Sequence, residues 1–155
     1  MNCFEIRPIL SNEIDTAIEL ALRVFMEFEA PGYSDEGIES FKSFIFSDEF
    51  KNYFIEENNF FVGYFFEKKL IGIVAMRSDT HVSLAFVDKE FHRKGIATQL
   101  FNKLFDDRKS KGIENITLNS SPFGVSFYHA IGFVDTDIEQ TQDGITYTPM
   151  IFNIK

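Results

Sequence analysis

Six consecutive residues, His92-Arg93-Lys94-Gly95-Ile96-Ala97, separate an apolar strand end at Phe86-Val87 from an amphipathic stretch that runs on to Ser110. A helix beginning at about Gly95 leaves its first backbone N–H groups without internal partners, and its dipole adds partial positive charge there. Such a turn binds anions. Gly95 lets a phosphate reach the main chain with no Cβ in the way, Ala97 keeps the next position small, and Arg93 and Lys94 add cationic charge. Taken alone, the same residues would also serve as a solvated strand-to-helix connection. Neither Gly-x4-Gly-Lys-Ser/Thr nor Gly-x-Gly-x-x-Gly occurs in the chain, which argues against a nucleotide-phosphate-binding domain.

The elements that must hold this turn follow from hydrophobic periodicity. "CFEIRPI" alternates, with Phe4 and Ile6 on one face and Glu5 and Arg7 on the other, as in a half-buried strand. Ser11 offers an N-cap to a helix over 12–29, where Ile14, Ile18, Leu22 and Phe25 recur every three or four residues until Pro31-Gly32 stops it. Ser34 caps a second helix with Asp35 and Glu36 in its first turn and a stripe of Ile38, Phe41, Phe44 and Ile45. "FFVGYFF" and "LIGIVAM", separated by Glu67-Lys68-Lys69, predict a hairpin, and "HVSLAFVD" completes a three-strand meander. A helix over 95–110 followed by the strand "NITLN" implies a right-handed crossover and a parallel strand pair. Pro122 is placed in the first turn of a helix reaching Ile131, before Gly132. Two strands, around "FVDTDIEQ" and "ITYTPMIFNI", are joined at Thr141-Gln142-Asp143-Gly144 by an Asp-Gly hairpin signal. The expected fold class is α/β (α+β): a mixed, mostly antiparallel sheet with a central parallel strand pair and flanking helices.

"VDKEFHRKGIATQLF" resembles the acyl-CoA-binding motif of the GCN5-related N-acetyltransferases (GNAT), Gln/Arg-x-x-Gly-x-Gly/Ala, with the match on His92 to Ala97 and His92 standing where the family has Gln or Arg. A second segment, "NSSPFGVSFYHAIGFV", is similar to the family's strand, helix ending in Phe-Tyr, and Gly-Phe, with Ser121 in place of a common Asn. The tail "EQTQDGITYTPM" also resembles one branch of the family, so the likeness runs from about Phe60 to the end of the chain. The resemblance implies a single acyl-CoA N-acyltransferase domain over residues 1–155 with acetyl-CoA as its cofactor. It implies that the amides from His92 to Thr98 hold the pyrophosphate. Phe86 and Val87 would offer main-chain bonds to the pantetheine arm, with Asn119 or Ser121 beside it.

The implied reaction is transfer of an acetyl group from the thioester directly to a primary amine of a small molecule or peptide. It needs a neutral nitrogen, a polarised carbonyl and a proton for the departing thiolate. Tyr128 is similar in position to the family's general-acid tyrosine, and a phenol can give a proton to a developing thiolate. Many members place a Glu on the strand leading to the loop, but "HVSLAFV" has none. His81 and Ser83 remain on that strand, and Glu27 or Glu29, near the junction of the first two helices, are the alternatives; Glu29 or His81 is the base retained. The missing strand carboxylate also motivates a second class of reading, a non-catalytic acyl-CoA-binding sensor or interaction protein. His129 points away from Tyr128, and no metal site is assigned.

Composition narrows the partners. Fifteen Lys and Arg against twenty-four Asp and Glu leave a net charge of −9. That field repels nucleic acid and draws in cations such as a polyamine or a lysine side chain. Twenty Phe and no Trp predict a phenylalanine-rich core. The single Cys3 is read as a small apolar residue of the first strand, in keeping with a reducing cytoplasm. No segment approaches the ~18 apolar residues of a membrane span. The expectation is a soluble cytoplasmic protein, and dimerisation would agree with the family.

Overall fold

The computed structural model describes residues 3–56 and 59–154. β1 (Phe4–Pro8), β2 (Phe61–Phe66), β3 (Lys69–Met76) and β4 (Val82–Val87) form one antiparallel sheet in that order. In the second sheet β5 (Asn115–Ser120) and β6 (Val134–Asp135) flank β8 (Ile145–Asn153), whose first residues pair with β7 (Gln140–Gln142). The helices are α1 (Ile14–Phe28), α2 (Asp35–Ile45), α3 (Asp48–Glu56), α4 (Ile96–Ser110) and α5 (Val125–Ile131). No helix among the described residues is long and apolar enough to cross a membrane.

The period of two in β3 divides the core. Ile73 and Ala75 join Ile18, Ala21 and Phe25 of α1 on one face; Val74 and Met76 join Leu100, Phe101 and Leu104 of α4 on the other. Phe25 and Phe101 are each 1% exposed, and burying a side chain of that size contributes about 2–3 kcal/mol.

Several local expectations are corrected. α1 is not capped by Ser11: a short 3-10 turn over Ser11–Glu13 precedes it, and Glu13 instead accepts the Leu10 N–H at 2.9 Å and both Arg7 Nη atoms at 2.8 Å. A longer bidentate pair therefore displaces the short local cap. α3 is a separate helix that the apolar stripe did not announce; the Ser47 hydroxyl opens it by accepting the Phe50 N–H at 3.1 Å. Pro122 lies in a turn before α5 rather than in its first turn. Cys3 is exposed and precedes β1, and Phe4 of that edge strand is 59% exposed, stacked on Tyr64. The expected sixth strand is two short pieces, β6 and β7.

The central parallel pair is also corrected. Both sheets are antiparallel, and β4 meets β5 only at the isolated parallel bridge His81↔Thr117, with the Thr117 N–H on the Thr80 carbonyl at 2.7 Å. The cause lies in β4. Its register against β3 passes from Ala75↔Leu84 to Met76↔Val82, so Ser83 is an unpaired bulge residue. A bulge bends and twists its strand. Val82 consequently packs with α4 while Leu84 and Phe86 pack with α1. Beyond the bridge β4 and β5 make no further ladder, and a cavity opens beside them.

Candidate active site

That cavity measures about 1110 Å³ and follows β4 from Val82 to Val87. One end is the turn before α4. Arg93 and Gly95 both have positive φ, 62° and 79°. The first helical bond runs from the Gln99 N–H to the Gly95 carbonyl at 3.0 Å, and among the described residues the amides from Arg93 to Thr98 have no backbone acceptor. Left-handed residues alternating with free amides make an anion-binding concavity. A Cβ built on Gly95 meets nothing within 4 Å, so the surface over the turn is open. Arg93, Gly95, Ile96, Ala97 and Thr98 line the cavity; Lys94 reaches over the Phe91 ring, 5.6 Å from its centroid.

His92 behaves differently from the residue its position suggests. Its Nε2 lies 2.6 Å from the Val87 carbonyl, and its ring packs between Phe28 and Phe123 at centroid distances of 4.8 and 6.4 Å. The side chain thus ties the loop back to β4, and it occupies the carbonyl of one strand residue expected to meet a bound arm. Phe86 itself is buried, while Asn119 and Ser121 line the opposite wall.

Midway along the cavity three chain segments converge. Glu29 is the C-cap of α1, its N–H on the Phe25 carbonyl at 2.9 Å. Burial pushes its carboxyl up to about 7, and a hydrogen bond from Ser121 only partly opposes this. Tyr33, delivered by the Ala30–Gly32 turn, and Tyr128, on α5, are both held above the ordinary phenol range, first by burial and then by the Glu29 charge. Tyr128 packs edge-on against Phe101 and Phe133, at 5.6 and 5.5 Å, and its hydroxyl has no hydrogen-bond partner among the described residues. Gly124 makes room for this ring, since a Cβ there would lie 3.0 Å from Tyr128 Cε2.

The other sequence candidates are occupied elsewhere. His81 lines the cavity, but its Nδ1 bonds Thr117 Oγ1 at 2.8 Å, and burial together with the nearby Arg77 charge lowers its pKa to about 4. The Ser83 hydroxyl donates to the Ala75 carbonyl at 3.2 Å. Glu27 pairs with Lys89 at 2.7 Å on the outer face of α1. His129 pairs with Asp135 at 2.7 Å. Sequence reasoning missed Tyr33, Phe123 and Arg77; the signal for Arg77 was a cation closing an otherwise apolar strand.

A family model described as an acetyltransferase (GNAT) domain matches residues 29–154. No curated protein sequence matches the chain. The solved PaiA N-acetyltransferase of Thermoplasma acidophilum, in complex with coenzyme A, is 26% identical with a TM-score of 0.80, over 97% of this chain and 99% of its own. A GCN5-related N-acetyltransferase from Rhodopseudomonas palustris gives 0.83 at 16% identity, over 96% and 94%. A GNAT-family acetyltransferase from Staphylococcus aureus Mu50 gives 0.74 at 15%, over 99% and 100%. The last two bear on the fold alone.

Proposed function

The chain belongs to the GNAT acetyltransferases, and from that premise we propose that it transfers an acetyl group from acetyl-CoA to a primary amine, with Glu29 as general base and Tyr128 as general acid. The observation that carries the reading is a shielded carboxylate with a pKa of about 7 beside an unpartnered phenol, in a cavity that ends at a nest of free amides. The nest suits a pyrophosphate: the amides from Arg93 to Thr98 supply donors, Arg93 supplies charge, and Gly95 leaves the approach open. β4 at Phe86 and Val87, facing Asn119 and Ser121, would hold the arm that follows.

Bound acetyl-CoA supplies an activated thioester, whose C–S bond breaks as the amide C–N bond forms. An alkylamine is an ammonium ion at neutral pH and cannot attack until it loses a proton. Glu29, poised near 7, takes that proton. Tyr128 gives its hydroxyl proton to the departing sulfur. The nitrogen's second proton passes to the Tyr128 phenolate and restores the phenol, so the products are the amide, the thiol and the one proton held by Glu29. The two residues are linked, because protonating Glu29 removes one cause of the raised Tyr128 pKa and makes the phenol a better donor.

His81, at about 4, is a poor acceptor of an ammonium proton at neutral pH. A non-catalytic acyl-CoA sensor, the second class of reading, would do without a base in the cleft, and Glu29 supplies one. The test combines calorimetric titration of acetyl-CoA with thiol-release assays on a panel of amines. Glu29→Gln should bind acetyl-CoA as the wild type does, lose about 10²- to 10⁴-fold in kcat/KM and lose the rising limb of the pH profile near 7. Tyr128→Phe should lower kcat at saturating substrate. Wild-type turnover in both variants would refute the assignment.

A further inference from the structure

The cavity continues past Glu29 to the end of β4 farthest from the phosphate turn. Its lining there includes Tyr33, Phe41 and Phe44 from the helical side, Ser83 and Leu84 from the sheet side, and His81 and the exposed Arg77 from the β3–β4 connection. Arg77 follows the last residue of β3 and is fixed by its own N–H, which donates to the His81 carbonyl at 3.0 Å. Among the described residues, three Lys or Arg line the cavity. Lys89 is paired with Glu27, Arg93 belongs to the amide nest, and Arg77 has neither a hydrogen-bonded nor an ion-paired side-chain partner among the described residues. Glu49 borders a smaller neighbouring recess with Arg77, yet forms no ion pair with it.

An exposed arginine without a side-chain partner among the described residues, lining an aromatic-walled cavity in a chain of net charge −9, runs against the charge of the whole molecule. It disfavours an acceptor that is cationic at both ends and offers a bidentate site to a planar or tetrahedral anion. Resting on the acetyltransferase reading, we infer that the acceptor is a zwitterion: its amine meets Glu29 while a carboxylate or phosphate at its other end is held by Arg77. Phe41 and Phe44 cover the apolar spacer between the two charges. The acidic surface attracts amines in general, and Arg77 then selects among them.

The experiment uses linear primary amines of two to six carbons in four matched series, ending in carboxylate, phosphate, methyl or a second amine. With the full-length wild type, the carboxylate or the phosphate series should exceed the methyl and diamine series in kcat/KM by about 10- to 100-fold at its best length, the value of a charged hydrogen-bonded pair. The two anionic series distinguish the head groups. Arg77→Gln should collapse that ratio, Arg77→Lys should recover part of it, and the acetyl-CoA titration should report an intact fold in both. A wild type that prefers diamines, or a ratio unchanged in Arg77→Gln, would overturn the inference while leaving the acetyltransferase reading in place. If no series is acetylated, the same compounds are titrated onto the coenzyme A complex. Binding of an anionic series that Arg77→Gln abolishes would then support the Arg77 site against the catalytic reading, and its absence would overturn both.

Discussion

Replacing Glu29 by Gln should make the protein more stable while slowing its turnover, and the gain should depend on pH. An ordinary Glu titrates at 4.5, and this one is pushed up to about 7 by burial. That difference is worth about 3 kcal/mol, since each pH unit contributes about 1.4 kcal/mol. The carboxyl therefore adds nothing unfavourable below pH 4.5, where it is protonated in both folded and unfolded chains. Between 4.5 and 7 the folded chain keeps a proton that the unfolded chain releases, and stability falls as pH rises through this window. Above 7 the full cost is present. Gln has no charge to desolvate, so Glu29→Gln should gain about 1–3 kcal/mol over the wild type at pH 8.5, and close to nothing at pH 4. For a chain of this length that gain is several degrees in melting temperature. Urea unfolding followed by far-ultraviolet circular dichroism suits a protein without Trp. A difference that does not vary with pH, or a variant less stable than wild type at pH 8.5, would refute the argument that burial holds this carboxyl near 7.

Three further outcomes are expected. Gly95→Glu places an L side chain at φ 79°, at a strain of about 1–2 kcal/mol, and a carboxylate on the amide nest; calorimetry should show acetyl-CoA affinity reduced at least about 100-fold, and unchanged affinity would move the pyrophosphate elsewhere. Gly37→Ala drives a Cβ into the Gly144 carbonyl oxygen, where the β7–β8 turn rests on the start of α2 and Ser40 Oγ holds the Asp143 carbonyl at 3.2 Å; the collision should cost about 1–3 kcal/mol in denaturant unfolding and raise the acceptor KM more than the acetyl-CoA Kd. Burial pushes Asp88 up, yet its bonds to the Glu90 N–H and to Arg23, at 3.1 and 2.7 Å, outweigh that and hold its pKa below the usual range. Asp88→Ala should therefore cost about 1–2 kcal/mol at pH 7, an effect that persists down to the ordinary carboxylate value of 3.8 and is lost only as pH falls further, through the lower point at which the folded carboxyl takes up its proton.

What the sequence made legible was local. The positive-φ turn at Gly95, the stripe of Phe25 and its neighbours, and the Asp143-Gly144 hairpin each depend on residues a few positions apart. What it hid depends on distant segments meeting. Glu29 looks like any solvated helix charge until Ser121, Tyr33 and Tyr128 close around it from three other stretches. The β4–β5 pairing failed as an expectation because the bulge at Ser83 is a matter of register, and "HVSLAFV" alternates without interruption. The helix over 48–56 was missed because its opening Ser47 follows Phe46 too closely for the periodicity to show a break.

The missing ladder between β4 and β5 also has a colloidal consequence. Two strand edges that stop pairing after one bridge leave backbone donors and acceptors without neighbours along an accessible slot, and exposed edges of that kind template strand addition between molecules. A ligand laid along the slot would act as a surrogate strand and remove that hazard. The empty protein should then be the form prone to edge-to-edge association during storage, and its shelf life should depend on what fills the slot.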